Sequence, residues 1–85
     1  MKKFDYVITD ELGIHARPAA ILVKEAGNFS SKVELTCNGK VADLSKHFAI
    51  MSLGVKKGER VTVTVDGADE DTAYAVLKKF FEEKL

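Results

Sequence analysis

The chain has a single cysteine, a single proline, no tryptophan and no net charge. Each shortage excludes something. Cys37 has no partner for an internal disulfide, and no second thiol completes a C-x-x-C pair for metal or redox chemistry. An unpaired thiol fits a reducing compartment, so a cytoplasmic protein is expected, with Cys37 as a half-buried structural thiol. Thirteen basic residues offset thirteen acidic ones, which leaves none of the positive footprint a nucleic-acid binder needs. The Lys56-Lys57 and Lys78-Lys79 pairs read as solvated faces. Behind Met1-Lys2-Lys3 there is no apolar signal segment, and no apolar run approaches the roughly 20 residues of a membrane-spanning helix. His15, His47 and Cys37 are the only soft or borderline metal ligands. They form no close pair, so neither a metal nor any other cofactor is expected.

What is present is enough for one domain. Eighty-five residues can hold a single compact unit, residues 1–85, with an economical core. Phe4, Tyr6 and Ile8 alternate with polar neighbours, the period of a half-buried strand. Gly13 follows as a turn residue. From Ala16 the period becomes helical, with Ala19, Leu22, Val23 and Ala26 on one face and Gly27 where the helix ends. Val33, Leu35 and Cys37 line one side of a second strand over Lys32 to Cys37. Asn38-Gly39 is a strong hairpin signal, sending a short third strand back through Lys40 to Asp43. His47, Phe48, Ile50 and Met51 suggest a short second helix, with Ser45 as its N-cap. Val61, Val63 and Val65 alternate with Thr62 and Thr64 in a fourth strand. A last helix follows, with Asp69 to cap it, Glu70 and Asp71 at the positive end of its dipole, and Lys84 near the other. Its buried stripe is read as Ala73, Val76, Leu77 and Phe80. The order β-α-β-β-α-β-α, with one tight hairpin, implies an α+β domain: an antiparallel sheet carrying helices on one face.

The segment Gly13-Ile14-His15-Ala16-Arg17-Pro18-Ala19-Ala20 carries the chemistry. Pro18 belongs in the first turn of a helix, where its missing N–H is no loss. His15 then stands at the N-cap or just before it. The free amides of Ala16 and Arg17 point into the space beside the ring, which is an anion site at the positive end of the helix dipole. Arg17 adds a permanent cation with fork geometry. The same positive surroundings disfavour a protonated ring, which leaves the imidazole a neutral nucleophile, and they would stabilise the anion formed on it. A lone histidine near a helix start is more often a surface or capping residue. The combination with Arg17, Pro18 and small alanines favours a nucleophile.

Gly13 to Ala20 is similar to the active-site signature of HPr, the family of histidine-containing phosphocarriers of the bacterial sugar phosphotransferase system. The likeness continues through Asn38-Gly39-Lys40, Met51-Ser52-Leu53-Gly54 and Asp66-Gly67-Ala68-Asp69-Glu70, covering essentially the whole chain. It implies an open-faced β-sandwich whose four strands run in the order 1-4-2-3, with three helices on one face. It implies that His15 is phosphorylated through Nδ1, that Arg17 stabilises the phosphate, and that the Ala16 and Arg17 amides donate to it. Enzyme I, charged by phosphoenolpyruvate, would be the donor, and a IIA domain of a sugar permease the acceptor. Such a protein transfers phosphoryl groups without a small-molecule substrate of its own and is expected to be a monomer.

In the resembled family both partners dock beside the histidine. Here Ala20, Lys24 and Gly27 form a row on the first helix, and His47, Phe48 and Met51 would supply an apolar patch on the second, rimmed by Lys24 and Arg17. Ile50 and Leu53 read as core. Many relatives bear a regulatory serine at the start of the second helix, phosphorylated by an HPr kinase/phosphorylase. Lys46 occupies that position here and the serine stands one place earlier, at Ser45. Loss or weakening of that regulation is therefore expected, with Ser45 the only candidate for it. Two other readings compete: an interaction module that carries no phosphate, against which His15, Arg17 and Pro18 all argue, and a small metal carrier, for which the ligands are too few.

Overall fold

The computed structural model describes residues 1–85. Its elements are β1 Lys2–Val7, α1 Ala16–Ala26, β2 Lys32–Cys37, β3 Lys40–Asp43, α2 His47–Ser52, β4 Arg60–Asp66 and α3 Glu70–Lys84. The strands form one antiparallel sheet in the order β1-β4-β2-β3. Alternation decides which face is covered. Val61, Val63 and Val65 of the central strand β4 are fully enclosed, together with Leu35 and Cys37 of β2. Thr62 and Thr64, pointing the other way, stay half-exposed. The valines sit opposite Tyr6, Phe4 and Lys2 of β1, and Val63 and Val65 sit opposite Leu35 and Val33 of β2. The β2–β3 hairpin turns at Asn38 and Gly39, both at positive φ (53° and 79°), as its two-residue loop requires.

Three helices close the covered face around a core that includes Leu22, Ile50 and Leu77. On α1 the expected stripe holds for Ala19, Leu22 and Ala26, with Val23 at its margin. On α3 the stripe is Ala73, Leu77 and Phe81, not the predicted line through Val76 and Phe80. Spacings of four residues select Phe81. Its ring meets Phe4 and Tyr6 edge-on at centroid distances of 5.6 and 5.8 Å, while Val76 turns toward solvent. Cys37 is fully rather than half buried, and that burial pushes its thiol pKa up. It is a packing residue.

Two long-range ties fix the ends of α3. At its start, the Asp69 carboxylate does not cap the helix. It crosses to the α1–β2 connection, where it accepts the Ser31 hydroxyl and the backbone N–H groups of Ser30 and Ser31, both at 2.9 Å. At its end, the Leu85 carbonyl accepts the N–H groups of Thr9 and Asp10 and the Thr9 hydroxyl. The second tie brings the last turn of α3 against the loop that precedes His15.

The first tie has a measurable consequence. The Ser31 hydroxyl, then the Ser30 amide, hold the Asp69 carboxyl below its ordinary range. A carboxyl more acidic when folded stabilises the fold above its unfolded value, about 4, and that contribution disappears as pH falls through the lower, folded value. Asp69→Ala is expected to lower Tm at pH 7, with the gap to the wild type narrowing as pH is taken below about 4. Paired thermal melts across that range check it.

Candidate functional site

His15 is the N-cap of α1, with extended backbone (φ −94°, ψ −174°), and its side chain makes no capping hydrogen bond. Pro18 is buried in the first turn, and the Ala19 N–H closes that turn on the His15 carbonyl at 3.0 Å. The amides of Ala16 and Arg17 find no protein acceptor. These unbonded donors and the positive end of an 11-residue helix open beside a side chain that is 35% exposed. Donors left open at a helix start can hold an anion, and an imidazole stands at their edge.

The loop before His15 is built to hold it there. Gly13 adopts φ +66° and lies against the backbone of Val55 and Lys56. Ile14 then donates its N–H to the Val55 carbonyl at 3.1 Å. The Asp10 carboxylate accepts the Leu12 N–H at 2.9 Å, and the Asp10 carbonyl accepts that of Gly13 at 3.0 Å. The loop ends in a cleft of about 210 Å³. Its charged rim is Arg17 of α1, Lys84 of α3 and Asp10, with Ile21 and Phe80 as the apolar wall.

Asp10, Lys84, Ile21 and Phe80 are additions to the residues picked out from the sequence. No sequence pattern marks Asp10, and Lys84 reads only as a charge complementing a helix dipole. Leu85 and its hydrogen bonds to Thr9 and Asp10 bring both to the histidine, and no local pattern announces so distant a tie.

The proposed docking residues are divided. Ala20 and Lys24 are exposed on α1, and Phe48 is 87% exposed on α2. His47 is half-buried; its Nε2 lies 3.4 Å from the Ala16 carbonyl and its ring meets that of Phe48 edge-on at 5.7 Å. The start of α2 is thereby set against the start of α1. Met51 is half-buried against the core and Ile50 fully buried, so Phe48 supplies most of the apolar patch. Gly27 is exposed but stands at the far end of α1, roughly 16 Å along the axis from Ala16.

Ser45 does not cap α2. That position belongs to Lys46, whose side chain makes no capping bond. The Ser45 hydroxyl and N–H both turn back to the Asp43 carboxylate, at 2.7 and 2.8 Å, and hold that carboxyl below its usual range. The nearby acceptor at Asp43 wins over the helix start.

Fold and site together define a class: small α+β proteins that present a histidine at the open end of a helix where an anion can be held. Comparison with known proteins agrees. The family described as PTS HPr component phosphorylation site matches residues 2–83. The phosphocarrier protein HPr of Mycoplasma genitalium is 43% identical over 84 residues, covering 98% of this chain and 96% of that protein. That of Mycoplasma capricolum is 40% identical over 79 residues, covering 93% and 89%. The crystal structure of HPr-C-His from Thermoanaerobacter tengcongensis superposes with a TM-score of 0.93 at 37% identity, covering 99% of this chain and 94% of the other. The chain belongs to the HPr family, the phosphoryl carriers of the phosphotransferase system.

Proposed function

We propose that His15 carries the phosphoryl group on Nδ1, accepting it from phospho-enzyme I and passing it to the IIA domains of sugar permeases. The observation that supports this reading is the pair of unbonded amides, Ala16 and Arg17, opening beside an imidazole that caps nothing. In the first step the Nδ1 lone pair attacks phosphorus. The donor's N–P bond breaks, and its electron pair returns to the donor imidazole. Attacking and leaving groups are alike, so the step asks this chain for position and charge stabilisation rather than for new chemistry. The amides, the helix dipole and the Arg17 guanidinium supply both.

Partners approach over Phe48, with Lys24 and Arg17 at the rim. An exposed aromatic with cations on the neighbouring helix suits a partner with an apolar centre and an acidic border. In this reading the chain works in the cytoplasm as a monomer. Phosphate on Ser45 has no part in it. The hydroxyl is already bonded to a carboxylate, and a phosphate there would set two anions in contact.

Incubation with enzyme I and labelled phosphoenolpyruvate is expected to give acid-labile, hydroxylamine-sensitive phosphate on His15. No label, or label elsewhere, overturns the reading. Arg17→Ala is expected to slow transfer about 10- to 100-fold. That is below the loss seen on removing a buried oxyanion donor, because Arg17 is open to water. Stopped-time transfer assays, with circular dichroism to confirm the fold, measure it.

A further inference from the structure

The cleft beside His15 contains a carboxylate, which a phosphate site has reason to avoid. Its other charges, Arg17 and Lys84, are positive, as is the open start of α1. Asp10 is the one anion, and its position resolves the contradiction. Its Oδ1 lies 3.9 Å from Nε2 of His15, on the ring edge opposite the nitrogen that takes the phosphoryl group. At that distance the contact is one of charge rather than a hydrogen bond. The carboxylate is also held still. The Leu12 N–H binds the same oxygen at 2.9 Å, and the backbone of Asp10 is tied to the Leu85 carbonyl and to the Gly13 N–H.

We propose that Asp10 is a positioning residue for His15: its carboxylate keeps the ring proton on Nε2 and so leaves the lone pair of Nδ1 for phosphorus. The inference rests on the reading of His15 as the phosphorylated residue. In the transfer, Nδ1 bonds phosphorus while the donor's N–P bond breaks with its electron pair, and the proton stays on Nε2. The product is a phosphoimidazolium ring with its positive edge toward Asp10. When an acceptor nitrogen attacks, the N–P bond breaks, the electron pair returns to Nδ1, and His15 is restored in its starting tautomer. No proton moves in either direction. The carboxylate stabilises the charge that appears on the ring as phosphorus bonds, and holding the proton on Nε2 lets the ring leave as a neutral imidazole when an acceptor attacks. The groups facing the ring are Asp10 from the loop, Arg17 and the free amides from α1, and Lys84 from α3. Only Asp10 favours a proton there.

Asp10→Asn keeps an oxygen for the Leu12 N–H and removes the charge. Nitrogen-15 NMR of the unphosphorylated full chain is expected to give the Nε2–H tautomer in the wild type and a mixture in the variant. Transfer from phospho-enzyme I is expected to slow about two- to fivefold, the size of a partly exposed ion pair. The pH profile of phosphohistidine hydrolysis is expected to move to lower pH. An unchanged tautomer with an unchanged profile overturns the proposal, even if transfer slows, because the effect would then belong to the loop alone. The tautomer comparison needs no phosphate. Failure of the wild type to label on His15 would therefore strike the carrier reading while leaving this test to decide Asp10.

Discussion

His15→Ala is expected to accept no phosphoryl group from phospho-enzyme I and to keep its fold. The loss is complete because no other side chain in the cleft can replace the imidazole. Arg17 and Lys84 are cations, and Asp10 is an anion. The fold survives for three local reasons. The side chain is 35% exposed, it makes no capping hydrogen bond, and the backbone bond from the Ala19 N–H to the residue 15 carbonyl does not depend on the side chain. A change of about 0.5 kcal/mol or less in unfolding free energy is expected for such a position. Labelling with phosphoenolpyruvate and enzyme I, beside a chemical denaturation curve, checks both halves. The variant is also expected to compete with wild type for enzyme I, because Phe48 and Lys24 are untouched. Retained labelling would displace the phosphoryl site from His15 altogether.

Local signals carry far along this chain, and fail where a distant residue intervenes. The strand limits of β2 and β3 follow from apolar alternation broken by Asn38-Gly39, and the structure keeps them. The placement of His15 and Arg17 at the start of α1 is legible because Pro18 fixes where the helix begins. Phe80 and Phe81 are adjacent, and helical periodicity alone cannot choose between them; the rings of Phe4 and Tyr6 do. Ser45 has the right residue type for an N-cap, yet Asp43, two residues away, captures it. Asp69 has the right type and the right position, yet its carboxylate serves Ser30 and Ser31. Asp10 and Lys84 lie 74 positions apart and share a cleft only because Leu85 is fastened to Thr9 and Asp10. What a sequence hides in such a protein is competition for polar groups, decided by tertiary neighbours.

Gly13→Ala is expected to damage stability and transfer together. A Cβ at this position would lie 2.2 Å from the Val55 carbonyl oxygen and 2.7 Å from the Lys56 Cα. Both are backbone atoms, so no side chain can swing aside. The left-handed conformation at φ +66° adds about 1–2 kcal/mol for a residue with a Cβ. Relief requires the loop to move off Val55, which gives up the bond from the Ile14 N–H at 3.1 Å. A total of about 3 kcal/mol lowers Tm by roughly 12–24 °C in a domain of this size. The displaced loop carries Asp10 and leads directly into His15, so the spacing between carboxylate and ring changes with it. Gly39→Ala separates the two contributions. Its φ of +79° imposes comparable strain, but nothing lies within 4 Å of the added carbon. That variant is expected to lose only the conformational part and to transfer phosphate at the wild-type rate. Equal Tm losses in the two variants would mean that contact with Val55 does not hold the loop.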